Sequence, residues 1–288
     1  MSTASNNSIN DDTQTTSAES VVDTLRLACA IGQTAEATEW LRRWKNMETP
    51  VPRRPPKRPT VHLHSALLAA VENDHLSTVS VLLEEIFFID YIAVRSALAN
   101  RSTAMLQVFL DQGWNINKTM GPSMAPPLSR VLDDADLVRW FVTHGGDPNA
   151  AIQSWPSPLE AAAFKAPLEV IKILVDHRGR VYPSNALPAA AKTALPDRTE
   201  IVAYFLDKGA PINMIEYESD DETRKKVGVK AFGTALHQAS KRGNEQLLKR
   251  GASTSPMDSI GKTAMEYALE NDHRGVVTLL EQAAVVRQ

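Results

Sequence analysis

Four apolar segments of this chain close on nearly the same phrase. Phe109-Leu110-Asp111-Gln112-Gly113 runs on to Asn117, and Phe141 leads through Gly145-Gly146-Asp147-Pro148 to Asn149. Phe205-Leu206-Asp207-Lys208-Gly209-Ala210 leads to Asn213, and Leu247-Leu248-Lys249-Arg250 is followed by Gly251-Ala252. In each, a glycine stands where the residue after a helix takes a left-handed conformation. A helix ending that recurs along a chain signals stacked units, none of which can bury its apolar face alone.

A second phrase opens helices. Ser157-Pro158-Leu159-Glu160-Ala161-Ala162-Ala163, Thr234-Ala235-Leu236-His237-Gln238-Ala239 and Thr263-Ala264-Met265-Glu266-Tyr267-Ala268 each place a capping or small residue before a large apolar anchor and then alanine. Ala161, Ala162, Ala239 and Ala268 are expected where inner helices lie close together. Val170, Ile171, Ile173, Leu174, Val277, Leu279 and Leu280 are expected in the outer-helix core.

Together these phrases resemble the ankyrin repeat, with its Thr-Pro-Leu-His-x-Ala opening and a period of about 33 residues. The resemblance covers nearly everything after residue 20. It implies an all-α fold: an ankyrin-repeat solenoid of eight helix-turn-helix units, several degenerate, anchored at Leu25, Leu67, Val94, Leu128, Leu159, Leu187, Leu236 and Met265. The expected organisation is a disordered polar tail over 1–20, the array over 21–282 and a short tail over 283–288. Loop insertions are expected near 46–60 and 214–230. The seventh unit lacks about one helical turn, because Gly243-Asn244-Glu245-Gln246 passes straight into its closing phrase, so its outer helix should be very short.

Composition narrows the function. The formal charge is -3 and the pI near 6.2, which gives no overall basic field for nucleic acid or an anionic membrane. A single cysteine, Cys29, excludes an internal disulfide framework and a multi-thiolate zinc site, and fits a reducing compartment. No leader and no apolar run of membrane-spanning length stand out, so an intracellular protein, cytoplasmic or nuclear, is expected.

The sharper motifs have bland readings. Gly261-Lys262-Thr263 resembles the end of a phosphate-binding loop, but Pro256 occupies the position that requires the earlier glycine. His62, His64 and His75 suggest a metal, yet His75, His237 and His273 fall where the repeat uses histidine structurally. Cys29 sits between alanines at a helix-packing position. Pro52-Arg53-Arg54-Pro55-Pro56-Lys57-Arg58-Pro59 reads as a solvated loop before it reads as a nuclear-targeting signal or Pro-rich ligand. The acidic run Glu216 to Glu222, with Ser219 as a phosphate acceptor inside it, reads first as a flexible loop.

The expectation is a non-enzymatic protein-protein interaction scaffold or adaptor, without cofactor or metal, working through the concave face and turn tips. A nuclear transcription co-regulator of the same type is the alternative. The partner is expected to be another protein. Trp155, Tyr182 and Phe232 precede the openings at Leu159, Leu187 and Leu236, in turns where the family prefers small or polar residues. Exposed together, they would anchor that partner.

Overall fold

A computed structural model describes residues 18–47, 61–86, 89–119, 121, 124–150, 156–193, 195, 197–218 and 232–285. Among these residues the chain forms fifteen α-helices and no strand. The only extended pairing among them is two isolated antiparallel bridges, Ile215 with Thr234 and Met257 with Thr263. Contacts divide the chain into two compact units, Met1–Gln112 and Gly113–Gln288.

The first unit contains α1 (Ala18–Ala30), α2 (Thr34–Met47), α3 (Val61–Glu72), α4 (Leu76–Leu83), α5 (Tyr91–Ala99) and α6 (Thr103–Asp111). Two rows result: α1, α3 and α5 pack in sequence, and so do α2, α4 and α6. Leu63, Ala66, Leu67 and Ala70 recur at helical spacing and are fully buried or nearly so. The small side chains let neighbouring helices approach, while each buried leucine contributes about 1.5–3 kcal/mol. Helix starts are fixed by side chains: Asp90 accepts from the amides of Ile92 and Ala93, and Ser102 from that of Met105.

The second unit repeats this plan with α7 (Ala135–Thr143), α8 (Pro158–Lys165), α9 (Leu168–Asp176), α10 (Ala186–Ala191), α11 (Arg198–Asp207), α12 (Ala235–Ser240), α13 (Gln246–Lys249), α14 (Ala264–Glu270) and α15 (Arg274–Val285). The inner row is α8, α10, α12 and α14, and the outer row is α7, α9, α11, α13 and α15, each packing on the next. The expected inner helix at Leu128 is instead a 3-10 turn, Pro127–Arg130. Pro126 and Pro127 begin it and Asp134 already caps α7, which leaves too little chain for an α-helix.

The turns between helices are built alike. The amides of Gln33, His75, Ser102, Asn244 and His273 each donate to a carbonyl five residues earlier, and in all five cases that residue is alanine: Ala28, Ala70, Ala97, Ala239 and Ala268. Outer helices end the same way, with Gly146, Gly179, Ala210 and Ala252 donating to Phe141, Leu174, Phe205 and Leu247. Gly145 at φ +92° and Gly209 at φ +90° confirm the left-handed positions expected of the closing phrases.

Some expectations are corrected. Ala18–Ser20 belong to α1, so the polar tail ends before residue 18, and α15 continues past 282 to Val285. Ala161, Val277 and Leu279 are half-buried; Val276 and Leu280 form the core of α15, which packs on α13 and α14. The very short outer helix of the seventh unit is present as the four residues of α13, of which only Leu247 is buried. The Pro/Arg segment 52–59 lies outside the described residues, as do Ser219–Glu222. Glu216, expected in a flexible loop, is 2% exposed.

Candidate functional site

The C-terminal ends of α8, α10, α12 and α14 meet along one edge of the inner row. Between them lies a groove of about 410 Å³, lined by Phe164, Lys192, Gln238, Lys241, Arg242, Tyr267, Glu270 and Asn271. Sequence places these residues there simply: each stands at or just after the end of an inner helix or on the face turned to its neighbour. Lys192 and Lys241 are the residues that close α10 and α12, and Asn271 closes α14.

A buried polar layer supports the groove. Glu216 is ion-paired to Lys192 and accepts from the Gln238 side-chain amide at 2.9 Å. Arg242 Nε donates to the Lys192 carbonyl at 3.0 Å, which ties the ends of α10 and α12 together. The Lys241 ammonium lies 3.9 Å from the Tyr267 ring centroid, and Lys262 lies 5.3 Å from the same centroid while pairing with Glu270 at 2.5 Å. Tyr267 is fixed in turn: its hydroxyl donates to Asp258 at 2.5 Å, and Asp258 also accepts from the amides of Ile260 and Lys262.

This environment shifts the titratable groups. Burial lowers Lys241 below the ordinary lysine value; Lys192 and Lys262 push the same way, while Asp258 and Glu216 oppose them. Burial raises Tyr267, and its bond to Asp258 adds to the rise. Burial disfavours the Asp258 carboxylate, yet the bonds from Tyr267, Lys262 and Ile260 leave its pKa lowered. Burial likewise lowers His237, with opposing contributions led by Asp258.

His237 explains why. Its Nδ1 accepts from the Thr234 amide at 3.0 Å, closing the cap of α12, and its Nε2 donates to the Lys262 carbonyl at 3.2 Å. The neutral ring satisfies both partners, and the side chain is 1% exposed. Burial pushes the Cys29 thiol up to about 12, so it stays protonated. Thr263 caps α14 through Glu266, in the turn that resembled a phosphate loop. His64 pairs with Asp90 at 3.0 Å and His75 donates to the Ala30 carbonyl, while the His62 side chain lies outside the described residues. Among the described residues no three His, Cys, Asp or Glu side chains form a set that could hold a metal, and no helix is long and apolar enough to cross a membrane.

The three expected partner residues do not form one exposed set. Tyr182 is exposed at 52%, in the turn before α10. Phe232 is 8% exposed, packs edge-on to Tyr217 at 5.6 Å, and its backbone bonds to Ser259 in both directions. Its burial corrects the expectation of an accessible anchor there, because the ring packs on Tyr217 while the Phe232 backbone is tied to Ser259. Trp155 lies outside the described residues. The groove residues were overlooked because no one phrase marks them. The signal is positional: Lys165, Lys192 and the pair Lys241-Arg242 recur at the ends of successive inner helices.

Comparison with known proteins gives no matching family model and no matching curated protein.

Proposed function

We propose that the chain is a non-enzymatic protein-interaction scaffold or adaptor, built as an ankyrin-type array, that receives a partner along the inner-helix ends of its second unit. The observation that carries this reading is the recurrence, at three turns of the second unit, of one side-chain linkage from a helix pair to the next. Asn117 receives the amide of Asp147 and donates to the Gly145 carbonyl; Asn149 receives the amide of Arg180 and donates to the Arg178 carbonyl. Asn213 receives the amide of Ser253. These are the asparagines of the closing phrases, each clamped to the corresponding turn of the following pair.

Such linkage supports an array in which every unit is stabilised by its neighbours while turn tips and inner-helix ends vary freely. Rigid units with a variable edge suit recognition of other proteins more than catalysis, which requires a reactive group held beside a substrate. Here Cys29 and His237 are both committed to packing and capping.

The test is cross-linking mass spectrometry on partners captured with the full chain. Cross-links at Lys165, Lys192, Lys241 and Lys262 are expected. Cross-links confined to outer-row residues such as Lys172, Lys208 and Lys249 would overturn this placement.

A further inference from the structure

The groove is unequal in charge. Its lining carries three cations, Lys192, Lys241 and Arg242, against one carboxylate, Glu270. Two of the local pairs are satisfied, Lys192 with Glu216 and Lys262 with Glu270. Among the described residues no carboxylate lies within ion-pair distance of the Lys241 ammonium or the Arg242 guanidinium, although the chain as a whole is acidic by three charges. Asp258 and Glu216 lie near enough to favour the charged form of Lys241 but neither pairs with it, so these two cations are left without a carboxylate in direct contact and are open to an anion from outside.

The two unpaired cations are also held in position. Lys241 is half-buried against the Tyr267 ring, and Arg242 is anchored through Nε to the Lys192 carbonyl. Cations whose orientation is already fixed lose little side-chain freedom when an anion docks. Beside them stands Phe164, an aromatic ring 50% exposed at the end of α8. The groove therefore offers a carboxylate-binding pair and an apolar platform next to it.

We infer that this edge docks an acidic peptide segment of another protein, with Lys241 and Arg242 taking its carboxylates and Phe164 an adjacent apolar side chain. The inference rests on the protein-interaction reading above and names the chemistry of its partner. A peptide fits better than a nucleic acid strand. Glu270 lies in the lining and Glu216 directly beneath it, which a continuous phosphate backbone would meet as repulsion, whereas spaced carboxylates can avoid both.

The experiment uses the full chain and fluorescein-labelled peptides: one alternating Glu with Leu, one with Lys replacing Glu, one with Ser replacing Glu, and a labelled single-stranded oligonucleotide. Fluorescence anisotropy is expected to show binding of the Glu peptide, weakened as salt is raised. K241Q with R242Q should weaken it about tenfold, the sum of two partly exposed pairs. Phe164→Ala should weaken it without changing the salt dependence, and Lys172→Gln with Lys208→Gln on the outer row should leave it unchanged. Helical content of each variant is read alongside by circular dichroism.

Binding of the Lys or Ser peptide that survives K241Q with R242Q would overturn the acidic assignment while leaving a peptide-binding array. Preference for the oligonucleotide would overturn it in favour of nucleic acid. No binding of any probe overturns this docking chemistry, and the cross-linking test then decides separately whether the array binds proteins.

Discussion

A methyl group added to Gly32 would stand 2.5 Å from His75 Nδ1. The close approach lets His75 lie across the end of α1 and donate from Nε2 to the Ala30 carbonyl at 3.1 Å. The same pair recurs in the second unit. Gly243 lies against His273, whose Nε2 donates to the Lys241 carbonyl at 3.1 Å. A glycine in one turn and a histidine in the next thus form a repeated joint between adjacent pairs.

Gly32→Ala is expected to destabilise the chain. The residue sits at φ +73°, where a side chain is strained in any surroundings, and the histidine ring cannot retreat without giving up its carbonyl. Strain of this kind costs about 1–3 kcal/mol. Urea denaturation checks it: the midpoint should fall with the slope unchanged. Gly113→Ala is the control, since it has φ +82° but nothing near its Cβ, and should cost less.

Arg198 supports a larger effect from a less visible cause. It is 2% exposed, and its guanidinium donates to the carbonyls of Ala163 at 2.7 Å and Ala166 at 2.5 Å, closing the end of α8. Asp197 holds it from the other side through Nε at 2.9 Å. Arg198→Leu leaves those carbonyls without a donor and should cost about 3 kcal/mol, the upper range for unsatisfied buried groups. Arg198→Lys should recover only part of this in thermal or urea melts, because one ammonium cannot reproduce the planar fork.

These two joints mark how far the sequence could be read. The closing phrases announced themselves because glycine at a left-handed position and a buried Phe or Leu four residues earlier are forced by local geometry. The histidines at 75, 237 and 273 were legible as structural from a different source, their place in the ankyrin-like phrases. Arg198 was not, since its sequence surroundings, Pro196-Asp197-Arg198-Thr199, are those of a solvated helix start. Its burial depends on the end of α8 coming to meet it. Phe232 misled in the opposite way: an aromatic in a turn reads as exposed until Tyr217 and Ser259 are folded around it. The groove escaped because Lys192, Lys241 and Arg242 are each ordinary helix-terminal cations. Only stacking of α10, α12 and α14 collects them.

His237 predicts a dependence on pH. Burial lowers its pKa beneath the ordinary 6.5, so below that value the unfolded chain binds more protons than the folded one. Stability therefore falls as pH is lowered through about 6.5 and is fully present above it. Protonation would also remove the acceptor that Nδ1 offers the Thr234 amide. Melting temperatures measured from pH 7.5 to 5.5 should decline more steeply for the parent than for His237→Gln. Parallel slopes would show that other groups carry the dependence.

The last expectation concerns the short outer helix. Four residues of α13 bury only Leu247, whereas α9 buries Val170, Ile171, Ile173 and Leu174. Outer helices bury their apolar faces against neighbours in the row, and α13 has one such side chain to set against α11 and α15. Its amides have few protected partners within so short a helix, and opening it exposes little apolar surface. Local opening should therefore cost much less at α13 than at α9. In native-state hydrogen exchange, residues 246–252 are expected to exchange before residues 168–176. Leu247→Ala should melt α13 with small loss elsewhere, while Ile171→Ala, a fully buried position, should lower the stability of the unit by about 2–5 kcal/mol. Equal protection of the two helices would mean that α13 is held by its turns, Asn244 and Gly251, instead of by its core.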